Sequence, residues 1–348
     1  MPQKSKLMPL RANIKKLVII ILVALLSPTA SAFHLNPANR KSENRDHKNK
    51  FFDLISENVH EQITNKGREI FLRECESSEN KKGCAYERKL MNGRVIQDSL
   101  LRGVWWNDDP NQDLYKAKQV IWFGHMKDAE RRAKKGIRID AAYMMQYRSH
   151  YGDLQFLHSM ASMDGKKASD TKEDILMWAE FSYKLSIGEI SSGDKFSEVN
   201  IDRIHKYFGG RHAEWKINWI FQPKYLLVDT PNDFQEHALG TLIHMVEDSY
   251  SEAHVARSYV STEKCRSGRI LSFHSYTKQN PSLHSKADTL AGYNSVKNAS
   301  ESSPELAVAK LISFSHSKAS WEREVRPYLD GIVYCFDGDP EGSGPGNY

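Results

Sequence analysis

Apolar residues along the chain recur at steps of three to four residues, which is the spacing of a helix with one buried face. This spacing is clearest over residues 52–70, 175–187 and 239–246. Strand-like alternation is nearly absent, and Asn92-Gly93 is the one candidate hairpin turn. No repeat or long linker divides the chain. The pattern therefore predicts an all-α fold built as a single large helical domain.

The two ends of the chain differ from this helical body in composition. Residues 1–32 begin with basic side chains, continue with the apolar run 17–26 and end in Ala30-Ser31-Ala32. This order is typical of a cleaved secretory signal peptide, and the run is shorter than the ~20 residues that span a bilayer. We expect residues 33–335 to form the helical domain of a secreted protein, periplasmic or extracellular, without a transmembrane anchor. Residues 336–348 are rich in Gly, Pro and Asp, which predicts a flexible C-terminal tail.

The charge balance changes when the predicted signal peptide is removed. The full chain has 49 Lys and Arg residues against 44 Asp and Glu residues, and five of the basic residues lie within 1–32. The rest of the chain is balanced at 44 against 44, whereas general binding of nucleic acid favours a strongly basic surface. We therefore expect no stable nucleic-acid complex, with Arg131-Arg132-Lys134-Lys135 as one local basic run.

The chain contains four cysteines, and an even number in an exported protein favours disulfide bonds. Cys75 and Cys84 would close a small loop, and Cys265 would then pair with Cys335. The other interpretation is a metal site built from cysteine, but the sequence has no C-x-x-C pair.

The most informative segment runs from His244 to His254. His244 and Asp248 are four residues apart, so they project from one helix face ~5–6 Å apart, as two ligands of one metal ion require. His254 falls on another face of an ideal helix, so a break near residues 249–251 or a second metal ion must bring it into use. Imidazole and carboxylate ligands suit zinc. A polar helix face with two surface histidines has the same pattern.

Further histidines and carboxylates lie on either side of this segment. His284 and Asp288 repeat the four-residue spacing, and His60 lies on a helix with an apolar face. His158 lies among apolar residues, where a single histidine is usually part of the core. Two adjacent carboxylates, Asp108 and Asp109, follow two tryptophans.

The order of these elements resembles that of the bacterial zinc-dependent phospholipases C and the related fungal single-strand nucleases. Those proteins carry, in chain order, an N-terminal aromatic residue, a His, an Asp, a His, then H-x3-D-x5-H, and finally H-x3-E or H-x3-D. The H-x3-D-x5-H spacing is reproduced in full, and the resemblance covers residues 33 to about 290. The matching positions are Phe33, His60, Asp108 or Asp109, His158, His244, Asp248, His254, His284 and Asp288.

The resemblance implies a helical domain around three zinc ions. The first would be bound by an Asp of the Trp-Asn-Asp-Asp segment, His158, His244 and Asp248. The second would be bound by His254, His284 and Asp288. The third would be bound by His60, a shared oxygen of Asp248, and the amine and carbonyl of the mature first residue, Phe33. The fungal nucleases have W-x-D at the first position, which favours Asp108 over Asp109.

The sequence departs from the family pattern in two places. The first residue is Phe33 rather than Trp, and it precedes His60 by 27 residues, so His34 or an amine exposed by another cut is an alternative ligand. The long spacing from Asp108 to His158 implies an insertion over about 111–150. This insertion either borders the substrate site or is a peripheral helical decoration.

The implied reaction is hydrolysis of a phosphodiester by a metal-bound hydroxide, with Asp108 as the candidate general base. A serine lipase and a nucleotide-hydrolysing switch are disfavoured because G-x-S-x-G and P-loop motifs are absent. We expect a secreted phospholipase C that binds a membrane surface transiently and cleaves the glycerol–phosphate ester of phospholipids. The alternative is a single-strand nuclease or nucleotidase, which Asp288 in place of Glu favours. A third class is a secreted binding protein with a structural zinc cluster.

Overall fold

The computed structural model describes residues 58–76, 81–93, 98–113, 119–221, 231–299 and 303–346. Within these ranges the chain is mostly helical, as predicted. The α-helices are α1 (Val59–Glu76), α2 (Lys81–Asn92), α3 (Ser99–Trp106), α4 (Gln119–Lys134), α5 (Met145–Tyr151), α6 (Ala168–Ser186), α7 (Ile204–Phe208), α8 (Asn218–Phe221), α9 (Pro231–Asp248), α10 (Pro281–Ala287), α11 (Leu290–Ala299), α12 (Pro304–Ser317) and α13 (Arg326–Tyr328). Short 3-10 turns lie at Gln155–His158, Phe196–Glu198, Gly210–His212 and Tyr276–Lys278, and π-helical segments lie at Trp321–Val325 and Leu329–Val333.

A small antiparallel sheet departs from the all-α expectation. Strand β1 (Val255–Ser258) pairs with β2 (Arg269–Phe273), so that Val255 lies opposite Phe273. Both of these side chains are buried. The strands are four and five residues long, too short for their alternation to be distinguished from the helical pattern around them.

Helix α9 occupies the centre of the helical body. It packs against α3, α6 and α12, and every residue from His237 to Tyr250 is buried. A helix that is buried on all sides is normally apolar throughout. Helix α9 nevertheless carries His244, Glu247 and Asp248 in this interior, and buried polar groups are stable only when they have partners.

Helices α3 and α9 run parallel to each other. Ser99 at the start of α3 donates a hydrogen bond to Asp233 near the start of α9 (2.5 Å). The Asn107 side chain, just after α3, donates to the carbonyl of Thr241 in the second half of α9 (3.1 Å). Because the helices run in the same direction, both C-terminal ends emerge on the same side of the core.

Two glycines allow these helices to touch backbone to backbone. A Cβ atom on Gly103 would lie 2.0 Å from the carbonyl oxygen of His237, and one on Gly240 would lie 2.2 Å from that of Leu100. No side chain fits at such distances. The two positions therefore set the separation of α3 and α9.

The predicted disulfide pairing is confirmed. Cys75 at the end of α1 is bonded to Cys84 in α2, with their Cα atoms 6.0 Å apart. Cys265, between β1 and β2, is bonded to Cys335 with a Cα separation of 5.7 Å. The second bond joins parts of the chain that are 70 residues apart.

The C-terminal segment differs from the flexible tail that its composition predicts. The Glu341 amide donates to the carbonyl of Leu271, and the Ser275 amide donates to the carbonyl of Gly344. The Ser343 hydroxyl donates to the carbonyl of Met163 (2.7 Å). The segment is held by backbone pairing, which composition does not encode.

The proposed signal peptide, residues 1–32, lies outside the described residues, as do Phe33 and His34. Among the helices that the structure describes, none combines the length and apolar character needed to cross a membrane.

The contact between α3 and α9 predicts a large effect of a small substitution. Gly103→Ala should destabilise the protein by about 1–3 kcal/mol or more, because the added methyl group overlaps the backbone of α9. The matched control is Gly124→Ala in α4, where nothing lies within 4 Å of the new Cβ, and helix propensity favours the substitution by up to about 1 kcal/mol. Urea unfolding followed by circular dichroism measures both. Equal stability of the two variants would contradict the close contact.

Candidate metal centre

Six histidines and three aspartates from separate segments meet in the interior of the protein. Each of these residues is between 0% and 2% exposed. They come from α1, the end of α3, α5, the 3-10 turn that follows it, α9, the loop after α9, and α10. The side chains are those of His60, Asp108, His150, His158, His244, Asp248, His254, His284 and Asp288.

Within the described ranges these residues form four overlapping sets. In each set the nitrogen and oxygen atoms lie within 4.8 Å of one another. The sets are His60–Asp108–His244, Asp108–His150–His158, His158–Asp248–His254 and His254–His284–Asp288. We call these nine residues the His/Asp cluster.

Asp248 lies at the middle of the His/Asp cluster. Its Oδ2 atom is 2.9 Å from His244 Nε2 and 2.8 Å from His158 Nδ1. Its Oδ1 atom is 3.4 Å from His60 Nε2. The two oxygens therefore face different imidazoles, which is the arrangement of a carboxylate that can bridge two ions.

His254 reaches the cluster because α9 ends at Asp248. The chain then turns, with the Ser251 amide donating to the carbonyl of Asp248 and the His254 amide donating to that of Ser251. His254 Nε2 comes within 3.7 Å of Asp288 Oδ1, and His284 Nε2 lies 2.9 Å from Asp288 Oδ2.

The two neighbouring carboxylates after α3, Asp108 and Asp109, have different surroundings. Asp108 Oδ1 lies 3.9 Å from His158 Nδ1 and 3.8 Å from His150 Nε2. The Asp109 side chain instead accepts a hydrogen bond from the Asp113 amide (2.9 Å). Asn107, just before them, donates to the carbonyls of Leu157 and Thr241, so it ties this turn to the two segments that carry His158 and His244.

His150 is a cluster member that sequence reasoning missed. It lies in α5, within the stretch identified as an insertion. No second candidate metal ligand lies four residues before or after it, where the sequence has Gln146 and Leu154. Its ring centroid is 4.8 Å from that of His158. Trp122 of α4 lies edge-on to it at 6.4 Å and donates its indole N–H to the carbonyl of Asp108. The insertion therefore borders the cluster, and its involvement depends on tertiary contacts that no local pattern shows.

Four imidazoles of the cluster have Nδ1 fixed by an oxygen that is not one of the cluster's candidate ligand atoms. A ring that donates from Nδ1 keeps the lone pair on Nε2, which is how metal-binding histidines are oriented. The acceptors are Glu247 Oε2 for His60 (2.5 Å), Gln146 O for His150 (3.1 Å), His158 O for His254 (2.8 Å) and Gln279 Oε1 for His284 (2.6 Å). The acidic pair Glu247-Asp248 was visible in the sequence, but only the structure shows which member supports a ring and which faces the cluster.

The electrostatics of the cluster favour a bound cation. Burial and the neighbouring imidazoles of His150 and His244 hold the pKa of His158 well below 6.5. Burial raises the pKa of Asp248 well above its usual range, and the carboxylates of Asp108 and Asp288 raise it further. A metal ion stabilises neutral imidazole and ionised carboxylate together, because it takes the place of their protons.

Several cluster atoms have no hydrogen-bond partner among the described residues. They include both carboxylate oxygens of Asp108 and the Nε2 atoms of His150 and His158, and all are buried. A buried polar atom without a partner costs about 1–3 kcal/mol. Metal ions with nitrogen and oxygen ligands would satisfy these atoms, so the residues present fit such ions.

Eight residues that the sequence analysis named as ligands thus lie together, whereas Asp109 faces the backbone and Phe33 is outside the described residues. Comparisons of the chain with models of protein families, with curated proteins and with solved structures found no match. The chemistry of the site therefore rests on its own residues.

The position of His150 gives a test of the cluster. His150→Ala should weaken metal binding by at least about 10-fold, the lower limit for loss of even an outer-shell partner. The control is His125→Ala, since His125 lies in the neighbouring helix α4, 28% exposed and outside the cluster. Elemental analysis after dialysis against a weak chelator measures the bound metal. Equal metal content in the two variants would exclude His150 as a ligand.

Proposed function

We propose that the protein is a secreted, zinc-dependent phosphodiester hydrolase of the phospholipase C type. The observation that carries this proposal is the convergence of six imidazoles and three carboxylates into overlapping ligand sets. Zinc is the ion of choice because it is borderline-soft and binds both His and Asp. The two disulfides support an oxidising, exported location.

The overlap of the sets favours several ions at short separations. Asp248 presents one oxygen to His60 and the other to His158 and His244. Zinc ions held in this way would neutralise the oxygens of a phosphodiester and lower the pKa of water toward ~7. We propose three ions, with His60, Asp248 and the N-terminal amine as the ligands of the third.

Asp108 is the residue that we assign as general base. Both of its carboxylate oxygens are buried and accept no hydrogen bond from the described residues. One oxygen can bind an ion while the other orients the attacking water and takes up its proton. Two hydrogen bonds fix the backbone around Asp108. The Asn107 side chain donates to the carbonyl of Leu157, and the Trp122 indole donates to the carbonyl of Asp108 itself.

The charge of the inserted helix α4 supports a phospholipid substrate. Arg131 and Arg132 both pair with Asp128, and Lys134 pairs with Glu130. These acidic partners offset the basic run, whereas binding of single-stranded nucleic acid uses a continuous basic track beside stacking aromatics. We therefore place the enzyme transiently at a membrane surface, where it hydrolyses the glycerol–phosphate ester.

A single-strand nuclease or nucleotidase of the same superfamily is the second candidate. The observation that favours it is Asp288, whose carboxylate lies 2.9 Å from His284. In the family resemblance, aspartate at this position is nearer to the nuclease form than glutamate is. The phosphodiester chemistry is common to both candidates, so the substrate has to decide between them.

The deciding measurement is the ratio of specific activities on phosphatidylcholine vesicles and on single-stranded DNA at one zinc concentration. We expect the ratio to favour phosphatidylcholine. His244→Ala serves as the control, because loss of a ligand shared by both reactions should abolish both activities. A ratio in favour of DNA would replace the phospholipase assignment by the nuclease, and activity in metal-free protein would remove the metal mechanism.

The third ion predicts that the N-terminus matters for activity. A Met-Gly-Ser extension before Phe33 should lower the specific activity strongly and the metal content by one equivalent, because an acylated amine cannot bind the ion. The comparison is the same protein with the extension removed by proteolysis. Full activity and full metal content in the extended form would exclude the N-terminal amine as a ligand. His60 and Asp248 would then be the remaining protein ligands of the third ion.

A further inference from the structure

Tyr276 covers one side of the His/Asp cluster. It begins the 3-10 turn between β2 and α10 and is 2% exposed. Its ring centroid lies 5.0 Å from that of His284, 5.9 Å from that of His254 and 6.0 Å from that of His158. A fourth cluster ring, His150, is 5.9 Å away.

The Tyr276 hydroxyl is an exception among the buried tyrosines. Its Oη atom is buried and has no hydrogen-bond partner in the described part of the chain. Buried phenols normally find one, as Tyr183 does by donating to the carbonyls of Phe314 and Ala319. Tyr334 likewise donates to the carbonyl of Met245. An unpartnered hydroxyl destabilises the fold, so packing alone would favour phenylalanine at position 276.

A backbone hydrogen bond and a ring contact fix the position of Tyr276. The Tyr276 amide donates to Gln155 Oε1 (3.0 Å), in the 3-10 turn that also carries His158. On its outer side the ring packs against Tyr151, with 5.7 Å between centroids. The backbone of Tyr276 is therefore held by the same turn that positions His158.

We propose that Tyr276 Oη donates a hydrogen bond to a phosphoryl oxygen of the bound substrate. This inference rests on the proposed function, because it takes the cluster to hold metal ions and the substrate to be a phosphodiester. The hydroxyl group of a tyrosine has one O–H donor to offer. A donor placed before the reaction begins stabilises the negative charge that develops on the phosphoryl oxygens. The proton stays on Tyr276 throughout.

Phosphate is the ligand class that this geometry fits. Three imidazoles around Tyr276, those of His150, His254 and His284, are oriented by oxygens that are not candidate ligand atoms. Their inward atoms would be taken up as metal ligands, which would leave the phenol without a protein acceptor. An anion held by such ions would bring oxygen acceptors to this position, and inorganic phosphate is the smallest probe with the same oxygens.

The test is Tyr276→Phe in zinc-loaded protein, which removes the hydroxyl and keeps the ring. We expect binding of inorganic phosphate, measured by isothermal titration calorimetry, to weaken about 10- to 100-fold, the range for a hydrogen bond to a charged group. Metal content should not change, and the melting temperature should stay equal or rise because a buried unpartnered hydroxyl is lost. The matched control is Tyr151→Phe, in the next ring outward, which should bind phosphate as the unaltered protein does.

Each other outcome overturns the inference. Unchanged phosphate affinity in Tyr276→Phe removes the hydrogen bond, and a lower metal content makes Tyr276 a metal ligand instead. A fall in the melting temperature shows a structural hydroxyl. The unaltered protein distinguishes failure of the proposed function. If it binds zinc and phosphate but cleaves neither phosphatidylcholine nor DNA, the hydrolase assignment fails. The phosphate contact is then still decided by the affinity of the Tyr276→Phe variant.

Discussion

The parallel contact of α3 and α9 is the constraint on which the rest of the structure depends. Gly103 and Gly240 permit the two backbones to touch, and the shared direction of the helices brings their C-terminal ends together. Asp108 follows the C-terminal end of α3, and His244 and Asp248 lie at the C-terminal end of α9. Asn107 then ties both to the turn that carries His158. The His/Asp cluster is thus a product of helix packing, since the two glycines set the spacing of the helices that bring these ligands together.

A cluster of this kind links folding to metal binding. Nine imidazoles and carboxylates are withdrawn from water into the interior, and several of their inward atoms have no protein partner. Burial of such groups opposes folding unless a cation compensates for it. The apolar body supplies the opposing stability, with Trp106 and Trp178 stacked at 6.0 Å beside α9. The free energy gained by packing the apolar core therefore offsets the cost of burying the His/Asp cluster.

The sequence predicted cluster residues in two ways, from local helical spacing and from the order of motifs in the family resemblance, which supplied His60, Asp108 and His158. His244 with Asp248 and His284 with Asp288 are pairs at one helical turn, so their approach follows from the helix itself. His150 has no such partner and is brought in by the packing of α4 and α5, which spacing does not encode. The same reason explains the hairpin of β1 and β2 and the ordered C-terminal segment, both held by backbone hydrogen bonds. The family pattern favoured Asp108 over Asp109, and the turn after α3 places Asp108 in the cluster while Asp109 accepts a hydrogen bond from the Asp113 amide.

The two disulfides have a consequence for the order in which the protein matures. All four cysteines are bonded, and thiolates are among the strongest zinc ligands in proteins. A reduced chain would offer sulfur donors that compete with the imidazoles, and zinc captured by them would hold non-native loops together. Once Cys75–Cys84 and Cys265–Cys335 have closed, only nitrogen and oxygen donors remain. Oxidation before metal loading would thus act as a proofreading step, because it would direct a metal ion to the histidines.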